Sequence, residues 1–213
     1  MNKKEYIDAG RADRYQKPSG SQKSARTRIL EAASDLFYRE GIRAVGVETI
    51  AQEANTTKMS LYRHFASKDE LVAEWLRRYV NTFWQYWEEM VKQYPNDPRR
   101  QLSIVFQTIA EHASDPSSRG CAAANAAVEL TDSEHPARKI IGEHKARLRA
   151  RLVRMCTEMK AGDPEALADG LFLLMEGAQV STQSLGASGP GSSVARAAET
   201  LIDAHLSKTS TAA

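Results

Sequence analysis

Between Val47 and Leu71 the sequence stops one helix and starts another within a few residues, and this constrains the fold more than any other feature. Ile50, Ala51 and Ala54 fall at i, i+1 and i+4, which predicts a short helix over about 47–54 with one apolar face. Asn55 tolerates a left-handed backbone at little steric cost, and Thr56 or Thr57 can cap the first amides of a following helix. That helix is expected over about 57–65, with Leu61 and Phe65 four residues apart on its inner face. Two short helices joined by a tight turn make a helix-turn-helix pattern, although an ordinary polar surface helix has the same periodicity.

The outward face of the second helix carries Thr57, Lys58, Met59, Arg63 and His64. In a helix-turn-helix the N-terminal residues of the second helix reach base edges in the major groove, so Thr57, Lys58 and Met59 are the candidate base readers. Tyr62, His64 and Lys68 each carry a donor for phosphate oxygens, which positions a protein on DNA without specifying sequence.

From Arg28 to Leu71 the chain resembles the DNA-binding domain of the tetracycline-repressor (TetR) family of one-component bacterial regulators. The resemblance rests on Ile29-Leu30-Glu31-Ala32-Ala33, Leu36-Phe37, Gly41, Ile50-Ala51, Ala54, Leu61-Tyr62, His64-Phe65, Ser67-Lys68 and Glu70-Leu71. It implies a three-helix head in which Tyr62, His64 and Lys68 contact phosphates and the region around Lys58 meets bases. Asn55-Thr56 stands where the family usually has Gly-Val, and Met59 where it has a small residue. Met59 thereby places a flexible apolar side chain at the groove, suited to a thymine methyl.

Around this head, a chain of 213 residues has room for one or two domains with a real core, and 42% apolar with 26% charged residues is ordinary composition. No run of eighteen apolar residues occurs and the first residues lack a signal-peptide h-region, so no membrane partner and a cytoplasmic location are expected. Cys121 and Cys156 fit no metal or disulfide spacing; no metal and no cofactor are expected. Up to Lys68 there are 13 Lys and Arg against 8 Asp and Glu, and the remainder of the chain is net acidic, so basic charge collects at the candidate head.

Taken in order, residues 1–22 read as a disordered basic arm that either hangs free or lies along DNA beside the head. A helix from about Ser24 to Glu40 carries Ile29, Ala33, Leu36 and Phe37 inward, and Gly41 is expected to end it with a Schellman stop. Thr27, near its start, is a candidate phosphate contact or a plain solvent-facing residue. Ser67 and Glu70 form a capping box for a helix running to about Tyr94, whose aromatic residues either line a pocket or pack as core. Further helices are expected over 99–113, 119–130, 135–161, 164–185 and 194–206, with a tail from Lys208 to Ala213. The architecture is therefore all-α: residues 23–70 a helix-turn-helix domain, and 71–207 a helical effector-binding and dimerisation domain.

Helix faces with small neighbours nominate Trp87, Phe106, Cys121, Asn125, His144, Met175 and Gln179 as effector-pocket residues. The resemblance implies that the last two long helices pair with their copies in a homodimer, and Leu171, Leu174, Leu201 and Ile202 are the candidate interface residues. A two-fold dimer matches a palindromic double-stranded operator. The pairs Glu111-His112, Glu134-His135 and Glu143-His144 are adjacent in sequence, so within a helix they diverge by about 100° and make no chelating or catalytic face. The expected function is sequence-specific transcriptional regulation, a repressor released by a small molecule. A thiol sensor acting through Cys121 and a DNA-binding protein without an effector are the alternatives, and no enzyme is expected.

Overall fold

A computed structural model describes residues 23–210, with side chains as far as Leu206. The arm at 1–22 and the end of the tail lie outside the described residues. Among the described residues the secondary structure is helical throughout: α1 (Ala25–Glu40), α2 (Val47–Glu53), α3 (Lys58–His64), α4 (Lys68–Val91), α5 (Pro98–Ala113), α6 (Ala122–Glu129), α7 (Pro136–Glu158), α8 (Pro164–Leu185), a 3-10 turn (Pro190–Ser193) and α9 (Val194–Ser210). None of these helices is long and apolar enough to cross a membrane.

The boundaries follow local chemistry. Ser24 Oγ accepts from Thr27 N to open α1, Thr57 Oγ1 accepts from Ser60 N to open α3, and Ser67 Oγ accepts from Glu70 N to open α4. Asp97-Pro98 and Asp163-Pro164 start α5 and α8 in the same way, with proline where no amide is needed. Gly41 does end α1, but not with a Schellman motif. At φ 92° and ψ 155° its N–H bonds Phe37 O, and the chain leaves extended. The Schellman pair lies one helix later: Asn55, at φ 47°, donates to Gln52 O and Thr56 donates to Ala51 O. Lys160 repeats that pattern after α7, at φ 59°.

Packing divides the described residues into two compact units. The first takes residues 23–85 together with Cys121–Gly142. Its core joins Ile29, Phe37, Ile50, Leu61, Leu71 and Trp75 to the small face of α6, Ala122, Ala123 and Ala126. Alanine lets α6 lie close to the core, and its ends are tied by polar contacts. Tyr79 Oη reaches Cys121 Sγ at 3.5 Å at one end; at the other, Glu129 Oε2 accepts from Arg43 N at 3.0 Å. A Cβ on Gly41 would come within 3.1 Å of the same Glu129 carboxylate.

The second unit takes Tyr86–Gly120 and the residues from Glu143 onward. Here α9 packs on α5 and α8, and the 3-10 turn is wedged so closely that a Cβ on Gly191 would sit 2.7 Å from Ala178 O. His144, Leu148, Leu152, Met155 and Cys156 form the buried stripe of α7, whereas Met159 lies past the helix end and is half-buried. Arg147 and Arg154 face outward; Arg151 is mostly covered and pairs with Glu88 at 3.3 Å.

Burial of His144 pushes its imidazole down to about 3 from an ordinary value near 6.5, with Lys145 and Arg147 adding repulsion. The unfolded chain then binds a proton that the folded chain refuses. Stability that is complete above about pH 6.5 is expected to fall as pH drops toward 3, by up to about 1.4 kcal/mol per pH unit. Urea unfolding at pH 7 and pH 5 checks this: the wild type should lose more stability between the two than His144→Leu.

Candidate nucleic-acid interface

The helix-turn-helix is held from inside by Leu61, Ile50 and Ala51, all buried, and from behind by α1. Arg28 of α1 fixes the turn. Its Nε donates to Ala54 O at 3.0 Å and its Nη1 to Lys23 O at 2.9 Å, so one guanidinium satisfies a helix-end carbonyl and the carbonyl just before α1 together. Arg26 lies 5.0 Å over the Phe65 ring and pairs with Glu74 at 3.0 Å, which anchors the end of α3 to α4.

On this frame α3 presents its outer face to solvent. Met59 is 74% exposed and Tyr62 43%, both large side chains with no place in the core. Thr57 and His64 are also exposed; Thr57 is the N-cap and begins α3. Lys58 is exposed and forms an ion pair with Glu48 of α2. That pair holds the Lys58 ammonium above its ordinary range, while Lys58 and the residue's own backbone amide hold the Glu48 carboxyl below the usual carboxylate range.

Lys68 is placed differently from the other phosphate candidates. Its ammonium donates to Ile42 O at 2.6 Å and lies 6.0 Å over the Phe37 ring. Partial burial pushes its pKa down, against the pull of Asp69 and Glu129. Only one of its three protons is used by Ile42, so the remaining donors are available to an oxyanion at the start of α4. Thr27, at the start of α1, shares a 2.8 Å hydroxyl contact with Ser24.

The profile of bacterial regulatory proteins of the tetR family matches residues 29–75, the same stretch that builds this head. A crystallised tetr-transcriptional regulator from Streptomyces avermitilis is 32% identical with a TM-score of 0.74, over 86% of this chain and 98% of that one. The chain belongs to the TetR family. The HTH-type transcriptional repressor KstR2 of Mycobacterium tuberculosis is 34% identical over 97 residues, 44% of this chain and 48% of KstR2. The HTH-type transcriptional activator FasR of Mycolicibacterium smegmatis is 43% identical over 56 residues, 26% of each chain. The chain thus spans about half the length of KstR2 and about a quarter of FasR in these matches.

As a TetR-family protein the chain is a DNA-binding transcriptional regulator. Among its described residues no three His, Cys, Asp or Glu side chains are grouped to hold a metal ion. The residues nominated for an effector are split by packing. Cys121 and Asn125 belong to the first unit; Trp87, Phe106, His144, Met175 and Gln179 belong to the second. Of these, Trp87, Phe106, Cys121, His144 and Met175 are buried and Asn125 and Gln179 are half-buried. Gly120, at φ 68°, presses so close to Gln179 that a Cβ would meet its carbonyl at 2.8 Å.

The nominated interface leucines also separate. Leu171 and Ile202 are buried in the chain's own second unit, because they lie on the faces of α8 and α9 that pack inward. Leu174 and Leu201 are half-buried and line a shallow groove of about 930 Å³ between α8 and α9, along with Gly170, Leu173 and Gly177. Leu173, Val180 and Leu185 stand exposed on α8.

Two roles missing from the sequence reading emerge here, Arg28 as the clamp on the turn and Glu48 as the partner of Lys58. Arg28 and Ala54 are 26 residues apart, and Glu48 and Lys58 ten apart across a turn, so no helical periodicity links either pair.

Proposed function

We propose that the protein is a homodimeric repressor that leaves a palindromic operator when a small molecule binds beyond the head, in the region 71–207. The observation that carries this reading is the exposed outer face of α3, with Met59 and Tyr62 in solvent on a frame whose Ile50, Ala51 and Leu61 are buried. Thr57, Lys58 and Met59 are assigned to bases, and Thr27, Tyr62, His64 and Lys68 to phosphates. The longer match, to KstR2, is to a repressor and favours the negative sign of regulation, whereas the shorter match, to FasR, is to an activator.

The dimer is assigned to the outer faces of α8 and α9. Exposed Leu173, Val180 and Leu185 beside a glycine-lined apolar groove favour association, because apolar surface of this kind gains free energy when a second copy covers it. Gly177, where a Cβ would meet nothing within 4 Å, permits close approach, and Leu174 and Leu201 supply the contact. Burial of both cysteines, with the Cys156 thiol pushed up to about 12, favours a small-molecule effector over a thiol sensor. The buried aromatic and thioether side chains of the second unit suit a largely apolar effector. Ligand that binds better to a conformer with wrongly spaced heads lowers DNA affinity by reciprocity.

The test is release. Compounds that raise the melting temperature of the purified protein are titrated into its complex with a selected operator. The reading requires that some of them dissociate the complex, and that Asn125→Ala or His144→Leu weakens them. Stabilising compounds that leave every complex intact would contradict it.

The base and phosphate roles separate in a second experiment. Tyr62→Phe is expected to weaken binding about equally on all duplexes, by roughly the 0.5–1.5 kcal/mol of one hydrogen bond. Met59→Ala is expected to change the ranking among operator variants instead. Equal loss on every duplex for Met59→Ala would remove it from the base readers.

A further inference from the structure

An acidic side chain joined to a candidate base reader calls for an explanation, and Glu48, the partner of Lys58, is one. It stands in the first turn of α2, and its carboxylate is joined to the Lys58 ammonium on α3, both side chains being more than half exposed. An exposed ion pair of this kind contributes little to stability. Facing phosphates, a carboxylate also repels, so the pair weakens non-specific attraction to DNA without stabilising the fold.

The two groups are complementary in what they can accept and donate. The ammonium has three donors and no acceptor, so with one proton on Glu48 it still has two to offer the acceptors of a base edge, above all guanine O6 and N7. The carboxylate only accepts, and the groove's donors are the amino groups of cytosine N4 and adenine N6. Glu48 also limits where the ammonium can go, because a flexible lysine held at one point sweeps a smaller volume.

The geometry points to Glu48 and Lys58 reading DNA as one unit, the carboxylate aiming the ammonium at a guanine edge and itself taking a neighbouring base amino group, which makes Glu48 a specificity-determining residue. This rests on the assignment of α3 as the base-reading helix. It places in the operator half-site a guanine for the ammonium, with the adenine N6 or cytosine N4 amino group of an adjoining pair lying on the side of the groove that the carboxylate reaches.

The test compares wild type, Glu48→Ala, Lys58→Ala and the double variant. The probes are the operator recovered by selection from random duplex DNA, its single-base-pair variants and a scrambled duplex, at two salt concentrations. Glu48→Ala is expected to bind the scrambled duplex at least about threefold more tightly, with a salt dependence steeper by about one counterion. It should also lose about tenfold in discrimination at one or two base pairs. At those pairs the effects of the two single variants should not add. If Glu48→Ala keeps the wild-type ranking while Lys58→Ala changes it, α3 reads bases but the pair is an ordinary surface ion pair, and the proposal is overturned alone. If neither variant changes the ranking, the assignment of α3 falls with it. Unchanged thermal melting of Glu48→Ala shows that the readout is not one of folding.

Discussion

Leu201→Glu is expected to run as a monomer and to bind its operator roughly 10²–10⁴-fold more weakly, since each head would then engage its half-site without the other. Leu201 lies on the rim of the α8–α9 groove, with its Cδ2 2.8 Å from where a Cβ on Gly170 would be. A carboxylate there must either lose its water against an apolar partner or keep the partner away, and the second costs less. The helices themselves should stay folded, because Ile202, Ala198 and Val194 keep the inner face of α9 buried. Sedimentation and circular dichroism on the same sample check both halves of the expectation. A Leu201→Glu dimer with wild-type affinity would move the interface elsewhere.

Leu61→Ala should act on the other unit. Leu61 is fully buried between α1, α2 and α3, and removing three of its carbons leaves a cavity at the point where the recognition helix is seated. The expected loss is about 2–5 kcal/mol of stability in the first unit. Operator binding should therefore fail at temperatures where wild type still binds, while the protein remains a dimer. Fluorescence of Trp75, buried against Phe37 at 5.4 Å, reports melting of this unit. Loss of DNA binding with unaltered melting would mean that Leu61 acts on DNA more directly than its burial allows.

These two variants probe features of unequal visibility in the sequence. The helix starts were legible because their causes are local: Ser24, Thr57 and Ser67 cap within three residues, and the left-handed turn at Asn55 needs only its own short side chain. The inward positions of α1 and α3 followed from spacing for the same reason. What spacing does not carry is which of two apolar faces meets the chain itself and which is left open to solvent. Leu171 and Leu174 differ by one helical turn and share a hydropathy, yet one is sealed inside the second unit and the other lines the groove.

The membership of α6 was hidden for a related cause. It follows α5 in the chain, but its alanine face packs into the first unit, where Glu129 holds the Arg43 amide. The fixed end of α1 was also misread. Gly41 promised a Schellman stop, whereas the nearby Glu129 carboxylate and the extended exit to Ile42 give it a different positive-φ conformation. In each case a contact dozens of residues away decided between conformations that the local sequence allowed equally.

The central claim is that two copies of this head read a symmetric DNA site. It is tested most directly by selecting operators from random duplex DNA with the full purified protein and measuring the stoichiometry of the complex on the enriched site. The account predicts a palindrome whose two half-sites lie about one helical turn apart or a multiple of it, bound by an even number of chains. Enrichment of a site without two-fold symmetry, or of none at all under conditions where the protein is folded and dimeric, would contradict it.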